Sequence, residues 1–140
     1  MNASMHPAQL AALRSAEYST TKNKRAWLAL YADDAVIQDP VGVSPLDPTG
    51  EGHKGKPALE KFWDTAIAQG QLTFKVRESY PCADECANVA TITNTMPSGV
   101  SLTTDLVIVY RVNSAGLIVS LKAYWDFAKI AAQLQTMVAR

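Results

Sequence analysis

Around Gly70 the chain changes its period. Before it, apolar residues recur at helical spacing: Leu10 and Leu13 with Ala16, then Trp27, Leu28, Leu30 and Tyr31, then Leu59, Phe62, Trp63 and Ile67. After it, Leu72, Phe74 and Val76 alternate with Thr73, Lys75 and Arg77, the pattern of a half-buried strand. Three more strand-like segments follow at 87–96, 102–112 and 117–125. Pro97-Ser98-Gly99 and Asn113-Ser114-Ala115-Gly116 supply turns between them. Helices followed by a meander specify an α+β fold, with three N-terminal helices packed on one face of a curved antiparallel sheet. Such a sheet bends into a cone and leaves a mainly apolar pocket under the helices. At the end, Phe127, Ile130, Ala131, Leu134, Met137 and Val138 form one face of a C-terminal helix. That face must cap the pocket mouth or meet another subunit.

The 140 residues are expected to form one domain, 1–140. Apolar residues at 48% and charged ones at 19% describe an ordinary globular protein. Thirteen basic side chains balance thirteen acidic ones, which argues against nucleic acid or an anionic membrane as partner. No apolar run approaches a membrane span, and 1–14 lacks a basic segment followed by an apolar one, so the expected location is cytoplasmic. There Cys82 and Cys86 are expected as free thiols. His6 and His53 lie too far off in sequence to complete a zinc site with them. The glycines at 50, 52 and 55 follow no strand-turn-helix phosphate pattern.

One segment carries chemistry: Tyr31-Ala32-Asp33-Asp34-Ala35-Val36-Ile37-Gln38-Asp39-Pro40-Val41-Gly42. The second helix is expected to end near Ala32-Asp33, followed by a short strand to Asp39. Strand alternation then puts the Asp39 carboxylate on the same side as Ala35 and Ile37. An inward carboxylate is costly unless it is paired, solvated through a cavity or used chemically. The residues alone leave two readings open: an acceptor in an Asp-Pro turn, or a working carboxylate in the pocket.

The same segment resembles that of bacterial Δ5-3-ketosteroid isomerases, within the nuclear-transport-factor-2-like (NTF2-like) and SnoaL-like superfamily. Gly55, Ala58, Leu59, Phe62 and Trp63 resemble the helix after that family's loop. Tyr110-Arg111-Val112-Asn113-Ser114-Ala115-Gly116 and Lys122-Ala123-Tyr124-Trp125 resemble its last hairpin and strand. The likeness spans about 10–125, and the mycobacterial and actinobacterial isomerase-like proteins share the long loop after the Asp-Pro.

The resemblance implies an NTF2-like cone and a carboxylate base at Asp39 that moves a proton through a dienolate, with neutral acids stabilising the oxyanion. Counted without gaps, the family's tyrosine position falls on Ser15. Tyr18, one helical turn on, is the alternative catalytic hydroxyl, and Tyr31 is a second candidate donor to the carbonyl oxygen. The second acid position falls on Ile108; Asp105 belongs to the opposite, outer face with Thr103 and Arg111. Tyr31, Phe62, Trp63 and Trp125 are expected pocket walls with Ser15 and Ile108. No metal or organic cofactor is implied, and the expected partners are a small steroid-like ligand and a second copy docked through the outer sheet face. Two other readings remain on the same scaffold: a binder of steroid-like or polyketide-like ligands without turnover, and a SnoaL-like cyclase.

Overall fold

A computed structural model describes residues 5–138, with side chains through residue 135. Met137 and Val138, expected on the apolar face of the last helix, therefore have side chains outside the described ones. Helix α1 (Pro7–Thr21) starts with proline at its first position, and His6 Nδ1 accepts from the Ala8 N–H at 3.1 Å. It closes at Lys22 in the left-handed conformation, φ 62°. Asn23 caps α2 (Lys24–Ala29) by accepting from the Ala26 N–H at 3.2 Å.

The chain then turns directly into β1 (Tyr31–Gln38). The strand begins earlier than the apolar spacing indicates, because Leu30 and Tyr31 are claimed by the sheet. The Ile118 N–H donates to Leu30 O at 2.8 Å, and Tyr31 pairs with Ile118. Within the long loop after Asp39 lies a short strand, β2 (His53–Lys54), which pairs with Val36 and Ile37. Helix α3 (Lys56–Phe62) runs on into a π-helical turn, Trp63–Ile67. Lys22 Nζ closes that turn by donating to the carbonyls of Ile67 and Gly70.

Next come β3 (Gln71–Cys82), β4 (Glu85–Thr95), β5 (Ser101–Val112), β6 (Ile118–Tyr124) and α4 (Phe127–Val138). The six-stranded sheet has the order β2-β1-β6-β5-β4-β3. Every neighbouring pair is antiparallel except β1 with β6, which run parallel. The meander is thus as expected, and β1 joins it from the helical half of the chain. A bulge between Val76 and Glu78 ends the alternation of β3. Leu72 is buried and Phe74 half-buried, but Val76 is 46% exposed. Beyond the bulge it is Ser79 that faces α1, accepting from Gln9 Nε2 at 3.0 Å.

The buried face of α1 also differs from the expected one. Leu13 is 51% exposed and Leu10 only half-buried, whereas Ala8, Ala11, Ala12, Ser15 and Ser19 are buried. A helix lying close on a sheet selects small side chains on its contact face. Below it, Trp27 is the hub of the core, with ring centroids 4.6 Å from Tyr31 and 5.2 Å from Trp63. Truncating such a ring costs about 3–5 kcal/mol.

Helix α4 covers an exposed backbone edge. Strand β6 pairs with β5 only over Val107–Val112, so among the described residues 101–106 have no paired strand on that side. Gln133 fills in for a strand there: its Oε1 accepts from the Thr103 N–H at 3.0 Å and its Nε2 donates to Thr103 O at 3.4 Å.

Candidate active site

A cavity of about 790 Å³ lies between the helices and the concave face of the sheet. Asp39 enters it from the end of β1. The Val41 N–H donates to Ala123 O at 2.9 Å, so the chain stays tied to β6 on both sides of Asp39. Ala35 and Ile37, on the same face of the strand, are fully buried. The residue retains some accessible surface because the cavity is open, while its carboxyl group is enclosed by protein.

That carboxyl group has a fixed partner. Trp125, just past the end of β6, donates its indole N–H to Asp39 Oδ1 at 2.5 Å. Burial pushes the Asp39 pKa above the ordinary carboxylate value, and the Trp125 hydrogen bond and the nearby His53 pull it partly back. Asp39 is therefore a stronger base than an exposed aspartate and remains able to carry a proton.

Among the hydroxyls bordering the cavity are those of Ser15, Tyr31 and Tyr110. Ser15 from α1 hydrogen-bonds the Tyr31 hydroxyl at 3.1 Å, and Tyr110 stands on β5 two residues from Ile108. Burial raises the pKa of both tyrosines, the neighbouring charge of Asp39 raises it further, and Ser15 offsets the shift in each. Both shifts keep the phenols in their neutral form, which can donate a hydrogen bond. His53 lines the wall, its ring 5.1 Å from that of Phe62, and its Nε2 is buried without a partner.

Of the residues singled out from sequence, Asp39, Ser15, Tyr31, Phe62, Ile108 and Trp125 all border this cavity. Tyr18 and Trp63 do not border it. Tyr18 is partly buried against the core, one turn beyond Ser15, because the contact face of α1 runs through Ser15 and Ser19 instead. Trp63 is 3% exposed and packs behind the wall on Trp27. Asp105 is on the outer face, accepting from the Thr91 hydroxyl at 2.6 Å and 3.7 Å from Arg77. Ile108 presents hydrocarbon where the resemblance implies a second acid.

Sequence reasoning missed Tyr110 and His53 as cavity residues. Tyr110 had a signal, since it shares the inner parity of β5 with Leu106 and Ile108. His53 had none, sitting in what reads as loop.

The SnoaL-like domain family matches residues 12–121. No curated protein matches the chain. Among solved structures, Rv0760c from Mycobacterium tuberculosis in complex with estradiol-17β-hemisuccinate is 38% identical with a TM-score of 0.84, covering 89% of this chain and 97% of that one. A Δ5-3-ketosteroid isomerase from a Mycobacterium species is 35% identical with a TM-score of 0.85, covering 89% and 96%. A computationally designed 17-OHP binder is 37% identical with a TM-score of 0.85, covering 89% and 96%. With a carboxylate at the end of β1, an apolar cone around it and a family match over most of its length, the chain belongs to the SnoaL-like domain family.

Proposed function

We propose that the chain, working as a single domain, is a ketosteroid-isomerase-like enzyme that shifts a double bond by moving one proton with Asp39. The observation that carries this reading is the Asp39 carboxylate, enclosed in an apolar cavity and hydrogen-bonded by Trp125. In the reaction Asp39 takes a proton from the carbon between the carbonyl and the isolated double bond. It returns that proton to the far carbon of the resulting dienolate, so no net proton is consumed. As charge develops on the carbonyl oxygen, hydroxyls of Tyr31 and Tyr110 donate hydrogen bonds to it, with Ser15 orienting them. The tyrosines here take the role that the resemblance offers to Tyr18, which has no access to the cavity. Ser15, Phe62, Ile108 and Trp125 bound the substrate, and the mechanism calls on no metal or organic cofactor.

The structures of similar chains, with estradiol-17β-hemisuccinate or designed around 17-OHP, support a steroid-like ligand. Ile108 favours a second reading. A hydrocarbon in place of an acidic donor suits a binder that holds the same ligand without turnover. The loss of one oxyanion donor typically costs about 10²–10³ in turnover.

Conjugation of a Δ5-3-ketosteroid, followed by ultraviolet absorbance, separates the two. Turnover above buffer that disappears in Asp39→Asn supports the enzyme. Turnover no better than buffer, together with measurable binding of a phenolic steroid, establishes the binder. We also propose a cytoplasmic homodimer formed through the outer sheet face, where Val107 and its cross-strand neighbour Tyr124 are exposed. A single monomeric species in sedimentation at working concentration overturns that arrangement.

A further inference from the structure

The chemistry proposed for Asp39 uses only one end of the cavity. Toward the other end the lining comes from Phe127, Ile130, Ala131 and Leu134 of α4, together with Met96 and Leu102. The two ends are continuous, because Trp125, which holds Asp39, lies with its ring 6.2 Å from that of Phe127 at the start of α4. Helix α4 has a defined seat. Asp126 caps it by accepting from the Ala128 N–H at 2.9 Å, and Gln133 pairs with the Thr103 backbone. Gln133 on α4 turns to the β5 backbone and does not border the cavity. The polar side chains that do border it near α4 are Asn94, Thr104 and Gln135, and Asn94 Oδ1 is buried without a hydrogen-bond partner among the described residues. The rest of the lining there is hydrocarbon, from Met96, Leu102, Phe127, Ile130, Ala131 and Leu134.

Volume points the same way. About 790 Å³ stands toward the upper part of the range of about 300–1,000 Å³ for small-molecule sites. A four-ring skeleton docked at Asp39 fills well under that volume, and an apolar remainder left to water is unfavourable.

We propose that the α4 end of the cavity is a subsite for an aliphatic chain. Combined with the reading of Asp39 given above, on which this part rests, the substrate class becomes a fused-ring ketone carrying an alkyl side chain opposite its keto end. The keto oxygen meets the tyrosine hydroxyls and the alkyl chain lies under α4. Each methylene buried there strengthens binding by about fourfold at most, the equivalent of a full hydrocarbon transfer.

The test measures affinities of three probes for the full chain: cholest-4-en-3-one, with an eight-carbon side chain; androst-4-ene-3,17-dione, with none; and 4-octylphenol, an alkyl chain without the ring system. The same three are measured on Ile130→Asp, which puts a charge into the subsite, and on Ile130→Trp, which fills it. The expected result is a preference of tenfold or more for the long steroid over the short one, falling to near unity in both variants. Equal affinities in the unaltered chain, or a preference that survives both variants, overturn the subsite and leave the steroid reading intact. Binding of 4-octylphenol that Ile130→Trp abolishes, with neither steroid bound, supports the subsite and overturns the steroid reading. No binding of any probe overturns both.

Discussion

The two ends of the cavity are held in place by different means. At the Asp39 end the groups sit on elements locked by backbone pairing. Strand β1 lies between β2 and β6, Tyr110 is deep in β5, and Ser15 is on the face of α1 that contacts the sheet. Two hydrogen bonds there reach across the fold, Trp125 to Asp39 and Ser15 with Tyr31, while His53 Nε2 is left without a partner among the described residues. At the α4 end the wall is mainly hydrocarbon, on a helix that packs on β5 and is tied to its backbone through Gln133. Proton transfer demands atoms placed to a fraction of an ångström, and such groups belong on rigid elements. A wall that only has to exclude water tolerates a looser attachment.

The contrast predicts large chemical effects at one end and small structural ones at the other. Asp39→Asn removes the base, and isomerisation should fall by about 10²–10⁴, read as the initial rate of conjugation. Unchanged turnover would take the chemistry away from this end altogether. Tyr110→Phe should lower kcat by up to about a hundredfold and weaken binding of a phenolic steroid, with Tyr31 left as the remaining donor.

Trp125→Phe should act through pH. Burial raises the Asp39 pKa and the indole N–H lowers it. Activity needs the carboxylate, so it is lost as pH falls through that raised value. Removing the N–H raises the pKa further, and the acid limb of kcat/KM should move to higher pH; an unmoved limb would detach Trp125 from the base.

Stability should follow the same group with the opposite sign. An acid whose folded pKa lies above its unfolded value makes the fold less stable as pH rises through that interval. Asp39→Asn should therefore melt higher than the unaltered chain at neutral pH, and the difference should shrink as pH falls toward the ordinary carboxylate value. The smallest effect belongs to the other end. Gln133→Ala should cost about 0.5–1.5 kcal/mol, seen as faster amide exchange in α4 with β1 and β6 unaffected. Exchange that rises equally throughout would show α4 to be as firmly integrated as the sheet.

Much of this architecture is legible in the residues. The change of period at Gly70 separates the helical half from the meander, and the parity of 35, 37 and 39 turns Asp39 inward. The parity of β5 sends Ile108 into the cone and Asp105 out of it. These are local regularities, because a strand alternates whatever it packs against. The helices were less readable. Leu10 and Leu13 look like the buried stripe of α1, yet alanines and serines occupy it, since the distance between helix and sheet decides which side chains fit. The same choice places Ser15 in the cavity and leaves Tyr18 beside it.

What the sequence by itself determined is the kind of fold and the inward carboxylate, both encoded in spacing along the chain. Only the tertiary structure decided which groups bond that carboxylate and which hydroxyls stand near it. Trp125 lies 86 positions from Asp39, and Tyr110 and Ser15 reach the same cavity from β5 and α1. No periodicity records such meetings, because they depend on how whole elements approach one another in three dimensions.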